Sequence, residues 1–274
     1  KYNLPMFYCN AVGSQTEVVF DGGSLVMDVN GYVVHEMKYF KEDMVIADLE
    51  EVIKQKDTHE KMMLRSFDKD MRVSKISDPE KIIDYLVSEK NIREIHQALL
   101  LGIRDYFSKM GFGKAILGSS GGIDSAVTLA LACEALGKEN VTAVLMPSQY
   151  STSHSVNDAE KLSKTLGNPY HIIPIKNIYD SFLTELKPIY KDLPFGVAEE
   201  NIQSRTRGNL LMAIANKFGY ILLNTSNKSE LATGYGTLYG DMAGGLGVLG
   251  DVYKMQVYAL VKFINRNGEI IPQN

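Results

Sequence analysis

Residues 118–125 read Gly118-Ser119-Ser120-Gly121-Gly122-Ile123-Asp124-Ser125, and this octet, the Gly118–Ser125 loop, decides the fold class. It follows the short apolar run 115–117 and precedes an apolar helical pattern that starts at Ala126. A loop between a buried strand and a helix points backbone N–H groups and the positive end of the helix dipole at an anion. Asp124 is expected to be an exposed loop side chain, and its carboxylate would repel phosphate unless a cation lies between them. The pattern therefore predicts a nucleotide polyphosphate bound together with a divalent metal.

Two other phosphate-binding motifs are excluded. A Walker A loop needs a lysine after its last glycine, where this chain has Ile123-Asp124. The dinucleotide fingerprint needs the spacing G-x-G-x-x-G, which the loop lacks. An ordinary glycine-rich turn is the alternative interpretation, and two adjacent glycines flanked by serines and closed by Asp-Ser disfavour it. The loop resembles the pyrophosphate loop of the ATP pyrophosphatases, which cleave ATP between the α- and β-phosphates and form an adenylated intermediate.

The bulk composition excludes several function classes. The chain has 274 residues, a net charge of -4 and no apolar run long enough to span a bilayer. We therefore expect no nucleic-acid partner and no membrane partner. The two cysteines, Cys9 and Cys133, give no disulfide framework. Both are expected to be small buried side chains, and we expect a cytoplasmic location.

From residue 92 onward, short apolar runs alternate with longer helical patterns. The runs predict four strands, at 114–117, 141–146, 170–175 and 220–223. The patterns around them predict helices at 92–110, 124–136, 158–166, 178–190, 200–218 and 252–265. Strands separated by helices of this length predict an α/β fold with a doubly wound parallel sheet.

The residues before this region have a β-rich pattern. Strands are predicted at 7–12 and 18–20, and Asn30-Gly31 between the β-prone runs 24–29 and 32–37 predicts a hairpin. The polar stretch that follows predicts an interdomain connection with an exposed helix at 80–89. We expect three parts, with boundaries at 1–64, 65–91 and 92–274.

Three polar segments follow predicted strands. They are the Gly118–Ser125 loop, the segment Met146-Pro147-Ser148, and the segment 224–230 with its hydroxyl and amide side chains. Ligands bind outside the carboxyl ends of the strands in open α/β sheets, so these segments are candidates for a nucleotide site. Mg²⁺ is often held by one or two carboxylates together with phosphate oxygens, and Asp124 and Glu230 could supply that pair. A polar surface loop is the alternative interpretation of 224–230.

Further motifs resemble those of one family of ATP pyrophosphatases. Glu-Asn-Ile-Gln at 200–203, the segment 225–230, Thr-Leu-Tyr-Gly-Asp at 237–241 and Asp-Val-Tyr-Lys at 251–254 occur in the order found in NAD synthetases. The match begins near residue 92 and continues to the end of the sequence. The segment 13–24 resembles the end of a nitrilase-type glutaminase domain, a combination that is similar to glutamine-dependent NAD synthetases. The resemblance implies an adenine nucleotide α-hydrolase-like fold and the Mg²⁺-assisted, ATP-dependent amidation of deamido-NAD to NAD.

The resemblance also implies roles for individual residues. The Gly118–Ser125 loop, Met146, Thr225 and Lys254 would contact ATP. Asn201 and Arg205 would contact deamido-NAD, Asp124 would bind metal, and Glu230 would bind either metal or deamido-NAD. Asp124 and Glu230 are the predicted catalytic pair, and the family implies a homo-oligomer. For Arg205 and Lys254, solvated helix charges are the alternative interpretation.

Two departures from the family pattern are visible. The cysteine, glutamate and lysine of a nitrilase-type glutaminase lie upstream of the segment present here, so we expect a fragment that uses ammonia in place of glutamine. Leu238 stands where ammonia-only members often have lysine, which favours the glutamine-dependent branch. The competing hypotheses are another ATP pyrophosphatase, such as a GMP-synthetase-like or tRNA-thiolating enzyme, and a non-catalytic ATP-binding module. The negative net charge disfavours tRNA.

Overall fold

The computed structural model describes residues 4–15, 18–53 and 79–272. These residues form two compact units, one up to Tyr106 and one from Phe107 onward. Most of the predicted connection at 65–91 lies outside the described residues. Within those residues no helix is both long and apolar enough to cross a membrane.

The first unit contains two small antiparallel sheets. Its strands are β1 Met6–Tyr8, β2 Val12–Gln15, β3 Val18–Asp21, β4 Leu25–Met27 and β5 Val33–Glu36. The sheets have the orders β1-β4-β5 and β2-β3. Pairing of β4 with β5 across Asn30-Gly31 confirms the predicted hairpin. The prediction of one strand over 7–12 is wrong, because the chain leaves β1 after Tyr8 and pairs again, in the other sheet, only from Val12.

Three helices complete this part of the chain. They are α1 Leu49–Ile53, α2 Pro79–Leu86 and α3 Glu89–Met110. The predicted helices at 80–89 and 92–110 are thus present with shifted bounds. The boundary between them lies at Val87-Ser88, where a turn ends α2 and Ser88 precedes the first residue of α3.

The second unit is built on a five-stranded parallel sheet. The strands are β6 Ala115–Gly118, β7 Val141–Leu145, β8 Tyr170–Ile172, β9 Ile221–Asn224 and β10 Leu246–Gly247, in the order β10-β9-β6-β7-β8. Every pair in it is parallel, which confirms the predicted doubly wound α/β sheet. The chain runs outward from β6 to one side and returns to its other side with β9. The strand order therefore reverses at β6, the position where such sheets bind ligands.

Six helices surround this sheet. They are α4 Ile123–Leu136, α5 Ser153–Leu166, α6 Lys176–Tyr190, α7 Val197–Phe218, α8 Lys228–Thr233 and α9 Lys254–Ile264, with short 3-10 turns at Lys138–Asn140 and Asn265–Asn267. The first three residues of β6 and all of β7 are buried, and α4 buries a continuous run from Ser125 to Cys133. A strand or helix that is apolar on all sides packs in the interior, so β6, β7 and α4 form the centre of the core.

Some predicted bounds differ from the structure. Helix α5 begins at Ser153, earlier than residue 158, because Thr152 Oγ1 accepts a hydrogen bond from Ser155 N at 3.2 Å and caps the helix. Strand β8 ends at Ile172, short of the predicted residue 175, although Ile173 N and Ile175 N still donate to Leu145 O and Pro147 O. The sequence predicts no helix within the segment 224–230, yet its last three residues begin α8.

Candidate functional site

A cavity of about 410 Å³ lies at the carboxyl ends of β6, β7 and β9. Its lining includes five residues that the sequence analysis assigned to ATP, namely Gly118, Ser119, Ser120, Met146 and Thr225. Apolar side chains of the sheet and of α7 line the rest, among them Val144, Leu211 and Leu222. A space of this kind, apolar on one side and bordered by hydroxyl and amide groups on the other, suits a nucleoside.

The Gly118–Ser125 loop connects β6 to α4 and is fixed by its own hydrogen bonds. Ser119 N donates to Val144 O at 2.9 Å, and Ser125 Oγ donates to Gly122 O at 2.9 Å. Gly122 is the N-cap of α4, and no side chain of the described residues caps this helix end. The amides of its first turn are thus left to an external acceptor, as in an anion site.

Two residues of the loop have features that need explanation. Gly121 has φ +82°, and a Cβ atom there would lie 2.2 Å from Ser155 O, so the loop packs against the start of α5 more closely than any side chain permits. Ser119 Oγ is buried and has no hydrogen-bond partner among the described residues. A buried hydroxyl without a partner is costly, which indicates that a ligand supplies one.

Asp124 lies in the first turn of α4 and is held on both carboxylate oxygens. Lys254 Nζ forms an ion pair with Oδ2, and Asn227 Nδ2 donates to Oδ1 at 2.9 Å. Only 17% of the Asp124 side chain is exposed. The expectation of an exposed loop carboxylate is therefore wrong, because α4 begins before Asp124 and α9 brings Lys254 to it.

Glu230 belongs to the same cluster through Asn227. The Asn227 side chain is the N-cap of α8 and accepts from Ser229 N and Glu230 N, while Glu230 Oε2 accepts from Asn227 N at 3.1 Å. Asn227 is fully buried and contacts both candidate metal ligands. Among the described residues no group of three or more His, Cys, Asp or Glu side chains could hold a metal ion.

Asn201 and Arg205 lie on α7 and contact the segment 237–241. Thr237 Oγ1 donates to Asn201 Oδ1 at 2.8 Å, and Arg205 Nε donates to Leu238 O at 3.2 Å. Neither side chain lines the cavity. The role of these two residues toward deamido-NAD stays a prediction, and in this structure they hold a loop beside the cavity.

Comparison with known proteins adds an independent observation to this geometry. The sequence model described as NAD synthase matches residues 95–274. The chain belongs to the NAD synthase family.

Similar proteins point to one branch of the NAD synthase family. The chain is 47% identical to the glutamine-dependent NAD(+) synthetase of Synechocystis sp., with 99% of this chain and 45% of that protein covered. It is 44% identical to the enzyme of the same name from Thermotoga maritima, with 100% and 49% covered. The chain spans about half the length of these curated relatives.

A solved structure shares the architecture. It is the glutamine-dependent NAD+ synthetase from Acinetobacter baumannii in complex with adenosine diphosphate, with a TM-score of 0.82 and 40% sequence identity. The alignment covers 98% of this chain and 47% of that chain.

Several residues of the site in this NAD synthase family member could not be identified from the sequence. Arg207 lines the cavity and donates from Nε to Met146 O at 3.1 Å, and burial lowers its pKa. Ser204 also lines it and accepts from Asp241 N at 2.9 Å. Asn227 bridges Asp124 and Glu230. Each of these roles depends on a contact with a distant segment, and for Arg207 the one local signal is a second arginine beside Arg205.

The two cysteines of this family member differ in environment. Cys133 is buried in α4, as expected, and burial raises the pKa of its thiol to about 12. Cys9 is exposed, so the expectation of a buried side chain is wrong. It follows β1 in a segment outside the strands, which removes the packing that the strand pattern had predicted.

Proposed function

We propose that this chain contains the synthetase part of a glutamine-dependent NAD synthetase, a ligase that amidates deamido-NAD to NAD at the expense of ATP. AMP and pyrophosphate are the other products, and glutamine supplies the ammonia in the whole protein. The observation that carries the proposal is the cavity at the reversal point of the sheet, bordered by Gly118, Ser119 and Ser120. These residues begin the loop that leads into the uncapped N-terminus of α4. The names of the relatives support the choice of substrate.

The reaction has two steps that this arrangement suits. A carboxylate oxygen of deamido-NAD attacks the α-phosphorus of ATP, the bond to the bridging oxygen of the β-phosphate breaks, and pyrophosphate leaves with the electron pair. Ammonia then attacks the carbonyl carbon of the adenylate, gives up a proton, and AMP leaves as the C–O bond breaks. Backbone amides aimed at the departing phosphates stabilise their charge without reorganisation.

In this proposal the nucleotide lies across the cavity. The loop amides bind the β- and γ-phosphates, Met146 and Thr225 border the nucleoside, and the unpartnered Ser119 hydroxyl donates to a ligand oxygen. The ion pair with Asp124 holds the ammonium group of Lys254 next to the loop, where it contacts the phosphates. Asn201, Arg205 and the segment that they hold form the border toward deamido-NAD.

The donor chemistry around Asn227 fits Mg²⁺. Asp124 and Glu230 provide carboxylate oxygens, which this cation prefers, and both are held by the same buried amide. We assign these two residues as its protein ligands. Because Lys254 pairs with Asp124, the ammonium group and the cation would share that carboxylate. When bound, Mg²⁺ would neutralise charge on the leaving pyrophosphate.

The remaining assignments complete the proposal. Residues 1–64 represent the end of a nitrilase-like glutaminase domain, 65–91 a connection, and 92–274 the synthetase domain, which the family match over 95–274 supports. The enzyme acts in the cytoplasm as a homo-oligomer.

The first experiment measures AMP and NAD formed by the chain from ATP, Mg²⁺ and deamido-NAD, with ammonium in one reaction and glutamine in another. We expect NAD with ammonium and AMP release that depends on deamido-NAD. AMP release without deamido-NAD would indicate another ATP pyrophosphatase. ATP binding without AMP release would indicate a binding module.

A substitution of Asp124 tests the same proposal at the residue level. Asp124→Asn keeps the size of the side chain but removes the charge that faces Lys254, so we expect AMP formation to fall by about 100-fold or more. Asp180→Asn is the matched control, because Asp180 pairs with Lys176 at the surface of α6. Equal activity of the two variants would argue against the assigned role of Asp124.

A further inference from the structure

Arg207 is a cation inside the nucleotide cavity. It lies on α7, and its Nε donates to Met146 O at 3.1 Å. Met146 follows β7, which pairs with β6, and β6 leads into the Gly118–Ser125 loop. The guanidinium is thereby anchored at the carboxyl ends of the central strands, on the α7 wall of the cavity.

The positive charge of Arg207 is not neutralised within residues 4–15, 18–53 and 79–272. None of their carboxylates forms an ion pair with it, and burial is the only influence on its pKa, which is lowered. Its Nη1 and Nη2 groups have no hydrogen-bond partner there. Arg207 is half-buried, and a partly desolvated charge without a counter-charge costs free energy. The arrangement therefore favours an anion in the bound ligand.

Asp241 is the carboxylate that lines the same cavity, and it is engaged elsewhere. Its Oδ1 accepts a hydrogen bond from Thr237 N at 2.5 Å, within its own loop. Asp241 therefore does not serve as the counter-ion of Arg207. Its presence also makes the cavity less favourable for an anion unless a cation such as Arg207 balances it.

The position of Arg207 indicates which of the two substrates supplies the anion that it binds. The residues assigned to ATP, such as Ser119, Met146 and Thr225, line the cavity together with Arg207, whereas Asn201 and Arg205 do not. The anion that shares the space is thus part of ATP. Since the loop amides take the β- and γ-phosphates, the α-phosphate, which is joined directly to the nucleoside, is the group left for the α7 wall.

We propose that Arg207 binds the α-phosphate of ATP and of the adenylate, an inference that rests on the proposed function. The guanidinium fork matches two non-bridging phosphate oxygens. These oxygens gain negative charge as the carboxylate of deamido-NAD adds to the phosphorus, so Arg207 stabilises the transition state of the first step as well as the bound nucleotide. It also holds the AMP group until ammonia displaces it.

The test compares the binding of AMP and adenosine by calorimetry in the full chain. AMP adds only the α-phosphate to adenosine. We expect Arg207→Met to weaken AMP binding by about 10- to 100-fold while adenosine binding changes by less than about 3-fold. Arg93→Met is the matched control, because Arg93 lies at the surface of α3 in an ion pair with Glu89, and it is expected to leave both affinities unchanged. Equal weakening of AMP and adenosine in Arg207→Met would overturn the proposal.

A second variant keeps the test decisive if Arg207→Met does not fold. Arg207→Lys retains the charge but not the fork, and we expect a smaller loss, about 5- to 20-fold, again confined to AMP. In Arg207→Ala, added guanidinium is expected to restore part of the AMP-forming rate, which a packing defect would not allow. Failure of both the selective loss and the rescue would overturn the assignment.

The outcomes separate the two proposals. A wild-type chain that makes NAD, with a variant that binds AMP normally, contradicts the role of Arg207 alone. A wild-type chain that binds AMP through Arg207 but forms no NAD contradicts the proposed function alone. A chain that binds neither adenosine nor AMP contradicts both.

Discussion

The strands of the two compact units differ sharply in burial. In the first unit, Phe7 of β1 and Phe20 of β3 are 55% and 42% exposed, on sheets of two or three short antiparallel strands. In the second unit, Ile116, Leu117 and Val144 are 0% exposed. A parallel sheet covered on both faces gives rigid strand ends, and the candidate site lies at those ends. The candidate site therefore lies where the backbone is most constrained.

Thiol labelling tests this difference with the largest expected effect. Cys133 belongs to the second unit and its pKa of about 12, against an ordinary value of 9.0, lowers its thiolate fraction by about 1000-fold. Cys9 of the first unit is exposed. We expect a disulfide reagent at pH 8 to modify one thiol rapidly and the second only after denaturant is added. Cys9→Ser should abolish the rapid phase, and two thiols reacting at one rate would contradict the burial of α4.

Two leucine truncations compare the cores directly. Leu117→Ala removes a fully buried side chain from β6, and we expect it to lower the free energy of unfolding by about 2–5 kcal/mol. Leu49→Ala makes the same change on α1, where the side chain is 54% exposed, and should cost less than about 1 kcal/mol. Urea unfolding followed by circular dichroism measures both. Similar shifts for the two variants would show that burial does not set the difference between the units.

Two glycines with positive φ compare a functional turn with a hairpin turn. Gly121 has φ +82° and Gly31 φ +85°, so alanine is strained at both by about 1–2 kcal/mol. At Gly121 the added Cβ also meets Ser155 O, whereas nothing lies within 4 Å at Gly31. We expect Gly121→Ala to weaken nucleotide binding by about 10-fold or more, and Gly31→Ala to leave it unchanged. Nucleotide affinity that survives Gly121→Ala would show that the loop can shift away from α5.

The smallest expected effect is on acid stability. Hydrogen bonds from the backbone of Lys38 and Met44 lower the pKa of Asp43 in the first unit, and hydrogen bonds from Lys164 and Tyr170 lower that of Glu160 in the second. A lowered pKa stabilises the fold above the ordinary values of 3.8 and 4.5, and this stabilisation is lost as the pH falls through the lowered values.

Both carboxylates are at the surface, so Asp43→Asn and Glu160→Gln should each flatten the acid limb of stability only slightly. Unfolding midpoints measured between about pH 6 and pH 3 check this expectation. A large change for either variant would point to burial in the native state that the structure does not have.

Much of the second unit could be predicted from its sequence because its signals are local. A buried strand, a glycine-rich turn and an apolar helix follow one another within 115–136, so neighbouring residues specify each other. The short strand β10 could not be predicted, because two residues have no periodicity and pair only when β9 is already placed. Helix α8 was missed although Asn227 followed three residues later by Glu230 is a local capping signal, because the helix has only six residues and shows little periodicity.

The candidate site divides in the same way. The loop could be identified from composition alone, and Asp124 from its place in the loop. The partners of Asp124 are Asn227 and Lys254, more than a hundred positions later in the chain. No local sequence pattern predicts contacts between residues so far apart. Arg207 was overlooked because its importance follows from its half-buried place in the cavity without a counter-charge among the described residues, which is a property of the folded molecule. For Cys9 the error was the opposite one: the strand pattern predicted a buried side chain, but the side chain is exposed.

The buried side chain of Asn227 restricts which sequences this site can accept. One end of its amide donates to Asp124, and the other accepts from the first turn of α8. Aspartate would lose the donating end and place three negative charges together, and leucine would lose both ends. Among the other amino acids only glutamine has the same primary amide, and its extra methylene would move one end out of reach. Almost every substitution of Asn227 therefore removes a donor or an acceptor that the site requires. We expect random mutations at this codon to abolish function far more often than mutations of the exposed acidic residues nearby.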